Sequence, residues 1–417
     1  MFEGPVFACG IHLISQTEHA FSRVVPKREF NMALYNGNDM MDPVVPDSRC
    51  DARPAMRLRL TLLKAILTAA AAVSLLPNPA WAHVKWFEPY DVSAPPTALS
   101  GVLSQHFLLA CAGFTLLIVG AFLCDRLVAA RLGAISAPGR REDLEERLVR
   151  AGTGAFFMAL FATGGTILTP ELHTVADWPA WIQLGIASSM LAAPTCALGS
   201  LGILVLYGYG VSLYGVFHLS DYPMFLGLAA YLGLTSFAKG RLRSQRMLVL
   251  HVSICVSLMW GAVEKWAYPQ WTFPLLAERP YLTFGLAPDD FMVVAGFVEF
   301  AFAFYILTGL GLLRLAIIGL GTIFTSAILD FGKIDAIGHL PILIAFGAMF
   351  IHGPTRLHLW LHDNTSGLFR RARTAGTAFA TTVVLFFAAY YGLQYAEYGH
   401  DFHSHKLAGL AAQASKR

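Results

Sequence analysis

The sequence predicts an all-α fold, a polytopic bundle of transmembrane helices. Hydrophobic residues make up 56% of the chain and charged residues only 14%. Several apolar stretches approach or exceed the roughly 18 to 20 residues that a helix needs to cross a bilayer. Arginine and lysine collect in alternate loops between these stretches, as expected when positive charge stays on the cytoplasmic side. This pattern is typical of an integral membrane protein that contacts the lipid bilayer, not of a soluble enzyme.

The first 55 residues are polar and interrupted by proline, and they show no helical period. They are a mis-assigned start ahead of a true first residue at Met56, a disordered leader, or a cytosolic tail in front of an uncleaved signal anchor. Each alternative leaves the topology that follows unchanged.

Residues 56–82 have the features of a secretory signal. A basic start is followed by an alanine-rich apolar run and by the small-residue sequence Ala80-Trp81-Ala82. We expect a signal peptide or a signal anchor. Cleavage after Ala82 would make His83 the first residue, and its α-amine and imidazole would then be two nitrogen ligands for copper or another transition metal. Residues 83–91 are rich in aromatic side chains and are expected to lie along the outer membrane surface.

About ten spans are predicted after the signal-like segment. Residues 83–240 are expected to form an N-terminal membrane bundle of about five spans, and residues 247–353 a four-helix bundle. Residues 354–417 then hold a cytoplasmic loop, the last span and a histidine-rich tail. The predicted spans are 103–124, 151–169, 179–195, 198–217, 222–238, 247–265, 289–311, 314–330, 336–352 and 375–396.

The loop charges orient these spans in a bacterial inner membrane. The arginine-rich loops face the cytoplasm, and the mature N-terminus and the C-terminus face the periplasm. Most acidic residues and histidines in or near the spans then lie at the outer face. They are Glu88, Asp91, His106, Glu171, His173, Asp177, His218, Asp221, Glu264, Asp289, Asp290, Asp330, Asp335 and His339.

Four ionisable residues inside or beside the predicted spans are stronger evidence for a functional site than the loop carboxylates are, because such groups are costly in a bilayer unless they face a partner or a wet cavity. They are Glu264, Glu299, Asp335 and His339. Asp335 and His339 are four residues apart and share one helical face. We expect the four to line an outward-facing polar pocket that handles protons or a quinone headgroup. The alternatives are structural hydrogen bonds and buried ion pairs with Lys265 and Lys333.

The remaining histidines give weaker signals. His400, His403 and His405 form a short tail sequence with Asp401 that could hold a metal. His106 lies near the start of the first predicted span and is a candidate cofactor ligand, since only His106 and His339 lie at a depth that would suit axial ligation of haem. Haem is nevertheless disfavoured, and phosphate loops and HExxH are absent. No stripe of basic residues supports nucleic-acid binding.

A family resemblance covers residues 251 to 353. It is carried by Trp260-Gly-Ala-Val-Glu-Lys-Trp266, by Gly296-Phe-Val-Glu299, and by Phe331-Gly-Lys-Ile-Asp-Ala-Ile-Gly-His339. This segment resembles the DoxX-like family of small four-helix membrane proteins, to which the chain adds six predicted spans and a signal segment. Some members of that family are linked to quinone-dependent sulfur oxidation. The resemblance implies a redox subunit at the membrane, with Glu264 and Glu299 as paired polar positions inside the bundle.

Three functions therefore remain open at the level of sequence. The first is an inner-membrane component of a quinone- or proton-linked redox system, acting with other membrane redox subunits. The second is a periplasm-facing protein that handles copper or another transition metal through His83, the polar pocket and the histidine tail. The third is a non-catalytic membrane scaffold whose buried charges only pair with each other.

Overall fold

A computed structural model describes residues 84–132, 140–237, 240–363 and 367–399. Within these ranges the regular elements are helices, together with one isolated β-bridge between Thr166 and His173. Short 3-10 turns lie at Val84–Trp86, Pro269–Trp271 and Pro280–Thr283. The α-helices are α1 (Leu99–Val102), α2 (Gln105–Leu132), α3 (Arg140–Thr163), α4 (Trp178–Ser189), α5 (Cys196–Leu219), α6 (Pro223–Phe237), α7 (Gly240–Arg243), α8 (Arg246–Ala267), α9 (Phe273–Glu278), α10 (Pro288–Thr308), α11 (Leu313–Phe331), α12 (Lys333–His352), α13 (Arg356–Asp363) and α14 (Leu368–Tyr398).

Seven helices in the described part of the chain are long and apolar enough to cross a membrane. They are α2 (over Gln105–Asp125), α5, α8, α10, α11, α12 and α14. Their lengths of 19 to 31 residues fit a hydrocarbon layer of about 30 Å at about 1.5 Å per residue. The prediction of a multi-pass helical membrane protein is confirmed.

Three of the ten predicted spans do not meet the same test. The predicted span 151–169 overlaps α3, but α3 ends at Thr163 because Gly164 and Gly165 take positive φ values of 70° and 65°. The predicted span 179–195 contains α4, which has only 12 residues, and the predicted span 222–238 corresponds to α6, which has 15. A helix of 12 residues is about 18 Å long. The structure therefore supports seven spans and not the count of ten.

Burial separates central helices from peripheral ones. In their apolar windows, α8 and α10 are each 67% buried, whereas α14 is 22% buried and α2 only 11% buried. α2 and α14 pack against each other, and α2 also packs against α10. The apolar residues that these two helices leave exposed are suited to contact with lipid tails.

Helices α8, α10, α11 and α12 close a four-helix bundle, since each packs against the next and α12 returns to α8. The N-terminal helices join this bundle through α3, which packs on α12, and through α6, which packs on α8. The connection between α8 and α10 contains α9 and two 3-10 turns, and it covers a small second apolar core that includes Leu276, Leu282 and Met292.

The two ends of the bundle carry different cations. The end that holds Lys85 and Lys265 is called the lysine end below, and the end that holds Arg243, Arg246 and Arg314 is called the arginine end. At the lysine end, Nδ1 of His106 lies 2.5 Å from Oδ1 of Asp290, which joins the first turns of α2 and α10.

The chain between Val84 and Val102 enters the bundle at the lysine end. Val84 is 7% exposed and Lys85 is 5% exposed. The expectation that residues 83–91 lie along the membrane surface is therefore wrong for these two residues. They are buried because the amino group of Lys85 finds carboxylate partners inside the bundle, as the next subsection shows.

Candidate functional site

A polar crevice lies at the lysine end among α6, α8, α10, α11 and α12. It contains about 540 Å³ of empty space including its mouth, of which about 50 Å³ is wide enough for a water molecule. That is room for a few waters, since one water needs roughly 10–15 Å³. The side chains that give the crevice its chemistry are Trp86, Asp221, Lys265, Glu299, Phe324 and His339.

Asp335 and His339 form an oriented carboxylate–imidazole pair on α12. Oδ2 of Asp335 lies 2.9 Å from Nδ1 of His339, and the Asp335 side chain is fully buried. Gly332, with φ of 75°, starts α12, so Asp335 falls in the first helical turn, where the helix dipole stabilises a carboxylate. Because Nδ1 is held by Asp335, Nε2 is the nitrogen available to a ligand.

Two aromatic rings hold the His339 imidazole in place. The ring of Phe324 stacks on it at a centroid distance of 4.7 Å, and Trp86 meets it edge-on at 4.9 Å. A carboxylate that orients an imidazole, with the imidazole fixed by packing, is the arrangement that general bases use. His339 is therefore equipped to accept or donate a proton in the crevice.

Lys265 and Glu299 form the opposite polar pair. Nζ of Lys265, at the end of α8, lies 2.6 Å from Oε2 of Glu299 in the middle of α10, and both side chains are largely buried. The alternative of a buried ion pair is thus confirmed for Lys265. Gly261 lies one turn before Lys265, and a Cβ atom there would approach only Oε1 of Glu299, at 4.0 Å. The absence of a side chain at Gly261 keeps this wall of the crevice open.

Lys85 lies between two carboxyl groups. Its Nζ atom is 2.5 Å from Oδ2 of Asp221 and 2.5 Å from Oε2 of Glu264, and the three side chains are between 1% and 6% exposed. The amino group also lies 5.6 Å from the ring centre of Tyr90 and 5.3 Å from that of Trp271. Aromatic faces attract a cation at such distances.

A third carboxyl group extends this site. Oε1 of Glu171 lies 2.9 Å from Nε2 of His218 and accepts a hydrogen bond of 2.5 Å from the hydroxyl of Tyr222. The loop that carries Glu171 is fixed by Gln183, whose side-chain amide donates to the carbonyls of Thr166 and Ile167. We call Lys85, Glu171, His218, Asp221, Tyr222 and Glu264 the Lys85 cluster.

Burial and charge act against each other on the groups of this cluster that lie outside the helices. Burial by itself lowers the pKa of Lys85, but Asp221 and Glu264 raise it well above its usual value of 10.5, so the amine stays charged. Burial raises the pKa of Asp221, and Lys85 and His218 only partly oppose this. Burial also raises the pKa of the Tyr222 hydroxyl, which stays protonated as a donor.

The structure places two of the four predicted pocket residues on the crevice wall and the other two behind it. Glu299 and His339 line it directly. Asp335 reaches it through His339. Glu264 reaches it through Lys85, which also holds Asp221, a residue of the crevice wall.

His106 is not part of this arrangement. Its side chain is 68% exposed and is paired with Asp290, and it does not line the crevice. Its predicted role as a cofactor ligand stays a prediction that the crevice does not support.

The predicted metal ligands His83, His400, His403 and His405 lie outside the described residues. Among the described residues, no group of three or more histidine, cysteine, aspartate or glutamate side chains is arranged to hold a metal ion. Copper handling therefore stays a prediction, and no feature of the described chain adds to it.

Lys85 is the site residue that sequence reasoning missed. Glu171, His218 and Asp221 were already among the residues expected at the outer face, although they were not selected as site residues. The signal for Lys85 was its charge, since a lysine is rare on a face from which positive residues are otherwise excluded. Trp86, its neighbour, gave no signal beyond being aromatic.

No protein family, curated protein or solved structure matches this chain.

Proposed function

We propose that the protein is a proton-handling component of a membrane redox system, with the crevice as the binding site for a quinone headgroup. One observation carries the proposal: an oriented imidazole, His339, and an ion pair, Lys265–Glu299, face the same crevice within apolar helices. Ionisable groups in such a place are costly and are usually retained for function.

The crevice chemistry suits a quinone. The carbonyl oxygens of a quinone accept hydrogen bonds. The ammonium of Lys265 is a donor on the crevice wall, and Nε2 of His339 becomes a second donor once the imidazole has taken up a proton, since Nδ1 already donates to Asp335. The rings of Trp86 and Phe324 are flat apolar surfaces beside His339. Reduction of a quinone to a quinol takes up protons as well as electrons, so a site of this kind needs groups that pass protons. Other membrane redox subunits would supply the electrons.

The proposal includes a location and a topology. The lysine end faces the periplasm of a bacterial inner membrane and the arginine end faces the cytoplasm, which the positive-inside rule favours. The mature N-terminus and the C-terminus then lie on the periplasmic side. The second half of α3, together with α4 and α6, completes ten crossings in this scheme by lying within the protein-covered part of the membrane.

The DoxX-like character of residues 251–353 is part of the same proposal. Its support is the closed bundle of α8, α10, α11 and α12, which brings Glu264 and Glu299 to the lysine end on adjacent helices.

Filling the crevice tests the proposal. Gly261→Leu would place a side chain in the crevice, and its Cβ atom would approach only Oε1 of Glu299, at 4.0 Å. Gly120→Leu is the matched control, since Gly120 lies in the apolar helix α2 and has no atom near its would-be Cβ. A short-chain quinone is titrated into purified protein, and binding is followed by quenching of tryptophan fluorescence.

We expect saturable quinone binding by the wild type and by Gly120→Leu, and loss of binding in Gly261→Leu. His339→Gln should weaken binding by about tenfold, which is about 1.4 kcal/mol, because one hydrogen bond is lost. Quinone binding that is absent from the wild type, or that Gly261→Leu leaves unchanged, contradicts the proposal.

A further inference from the structure

The Lys85 cluster holds more negative than positive charge. Three carboxyl groups, of Glu171, Asp221 and Glu264, face one lysine and one histidine. Even when His218 is protonated, one carboxylate is in excess. None of these five side chains is more than 6% exposed, so water does not screen the excess.

The neighbouring groups that the structure describes do not balance this excess. Among the described residues that line the crevice, Lys265 is a further cation, but it is bound to Glu299 at 2.6 Å. The hydroxyl of Tyr90 lies 3.4 Å from Nε2 of His218 and adds no positive charge. The other described groups with an electrostatic effect on the cluster include Tyr207, Tyr214, Tyr268, Tyr390 and Tyr398. None of these tyrosines carries a positive charge.

An unpaired buried carboxylate costs several kcal/mol and takes up a proton instead. We propose that the Lys85 cluster binds one exchangeable proton, shared between Asp221 and Glu264 beside Lys85. This inference rests on the proposed function and deepens its proton-handling part.

The position of the proton follows from the hydrogen bonds. Asp221 and Glu264 contact the same amino group, each at 2.5 Å, so the two carboxyl groups meet at one cation. Two carboxyl groups at one site do not both ionise readily. Glu171, in contrast, accepts a hydrogen bond from Tyr222 and contacts His218, and both contacts favour its ionised form.

Asp221 connects this proton to the crevice. It contacts Lys85 on one side and lines the crevice on the other, together with His339 and the Lys265–Glu299 pair. Waters in the crevice can therefore exchange the proton with Asp221 and carry it towards the imidazole. This series of proton transfers, from Asp221 through crevice waters to His339, supplies protons to a ligand without opening the buried cluster to bulk solvent.

Infrared spectroscopy of the purified wild-type protein tests the proposal. A protonated carboxyl group has a stretching band of its own, which shifts when the proton exchanges for deuterium. We expect this band at neutral pH, with a shift in heavy water. Glu264→Gln and Asp221→Asn should each remove it. Asp290→Asn, which changes a partly exposed carboxylate at the same end, is the control and should retain it.

The wild-type spectrum guards against loss of folding in these two, because the band and its shift in heavy water are measured there without any substitution. Lys85→Met removes the cation and should increase the band, since more carboxyl groups then need protons. Absence of the band in wild-type protein overturns the proposal. A band that only Glu171→Gln removes also overturns it, because the proton would then lie on Glu171. A band that sodium ions abolish overturns it as well, because the cluster would then bind a metal cation in place of the proton. The quinone titration measures binding in the crevice independently of the infrared band. Quinone binding without the band contradicts the exchangeable proton, and the band without quinone binding contradicts the proposed quinone site.

Discussion

At the arginine end of the bundle two carboxylates lie against several cations, whereas at the lysine end three carboxyl groups share one lysine and one histidine. Arg246 contacts Glu145 at 3.2 Å and Glu146 at 2.9 Å, and it is only 4% exposed in its side chain. Arg243 contacts Glu146 at 2.6 Å, and His352 contacts Glu145 at 2.6 Å. Both ends bury ionisable groups. In the network at the arginine end two arginines match two glutamates in number, whereas in the Lys85 cluster carboxyl groups outnumber the cations.

The difference separates a structural network from a titrating one. A guanidinium offers several donors in a fixed plane and stays charged, so Arg246 can satisfy two carboxylates without proton exchange. Its network joins α3, α7, α8 and α12 and holds the N-terminal helices on the four-helix bundle. The amine of Lys85 is one compact charge between two carboxyl groups, and a proton must make up the balance.

The largest expected effect comes from Lys85→Met. Removal of one partner from a buried ion pair costs about 3–5 kcal/mol, because the remaining charges are left uncompensated. We expect a marked fall in the thermal unfolding temperature in detergent. The fall should be smaller at acid pH, where protons neutralise the carboxyl groups.

Two comparisons sharpen the Lys85→Met measurement. His106→Gln breaks an exposed pair and should change stability by no more than about 1 kcal/mol. The stability that Lys85 contributes should persist up to its usual pKa of 10.5 and be lost only as the pH rises above it, because its pKa is raised in the folded protein. A Lys85→Met protein as stable as the wild type at every pH would show that the cluster is not held by this lysine.

Arg246→Met should have an intermediate effect. Glu146 keeps Arg243, and Glu145 keeps His352 and the hydroxyl of Tyr231. The loss should therefore be about 1.5–3 kcal/mol, the range for hydrogen bonds to charged groups. Because the arginine network needs no exchangeable proton, this loss should be the same from mildly acid to mildly alkaline pH. If the destabilisation by Arg246→Met depended strongly on pH, as expected for Lys85→Met, the arginine end would also bind an exchangeable proton and the two ends would not differ in this respect.

The smallest effect concerns His358, which attaches α13 to the end of α10 at the arginine end. Its Nε2 atom donates to the carbonyl of Ile306 at 2.9 Å, and its Nδ1 atom accepts from the N–H of Thr355 at 3.0 Å. Burial lowers its pKa from 6.5, with His362 and His352 acting in the same direction. The folded protein thus binds this proton less readily than the unfolded chain does.

Stability should therefore fall as the pH drops below the usual value of 6.5. His358→Asn should be less stable at neutral pH and should lose this acid dependence, as measured by unfolding temperatures across a pH series. An unchanged acid dependence in the variant would assign the effect to another group, such as His251, whose ring lies 5.4 Å from that of His358.

Much of the fold could be predicted, because a bilayer makes length and apolarity decisive. Seven of the ten predicted spans correspond to helices that can cross a membrane. The others overlap α3, α4 and α6, where apolar residues are plentiful but the helices end early or begin with charge. Hydropathy alone does not distinguish such helices from complete spans, because residues covered by protein are as apolar as residues covered by lipid.

Part of the candidate site was also accessible. The spacing of Asp335 and His339 determines their contact, since residues four apart lie on one face of a helix. The pairing of Glu299 with Lys265 was foreseeable only as one alternative, because it depends on how α8 and α10 pack. The contact between Lys85 and Glu264 joins residues far apart in the chain, and no local pattern fixes it.

The sequence by itself determined that this chain is a helical membrane protein, that most acidic residues and histidines in or near the spans lie at the end opposite the arginines, and that Asp335 orients His339. These properties follow from helical period, apolar length and the cost of charge in lipid. Only the tertiary structure decided that Lys85 enters the bundle to meet Asp221 and Glu264, and that Asp221 opens onto the crevice with His339. The physical reason is that a buried charge takes the partner that packing brings within reach, and packing is a property of the whole bundle.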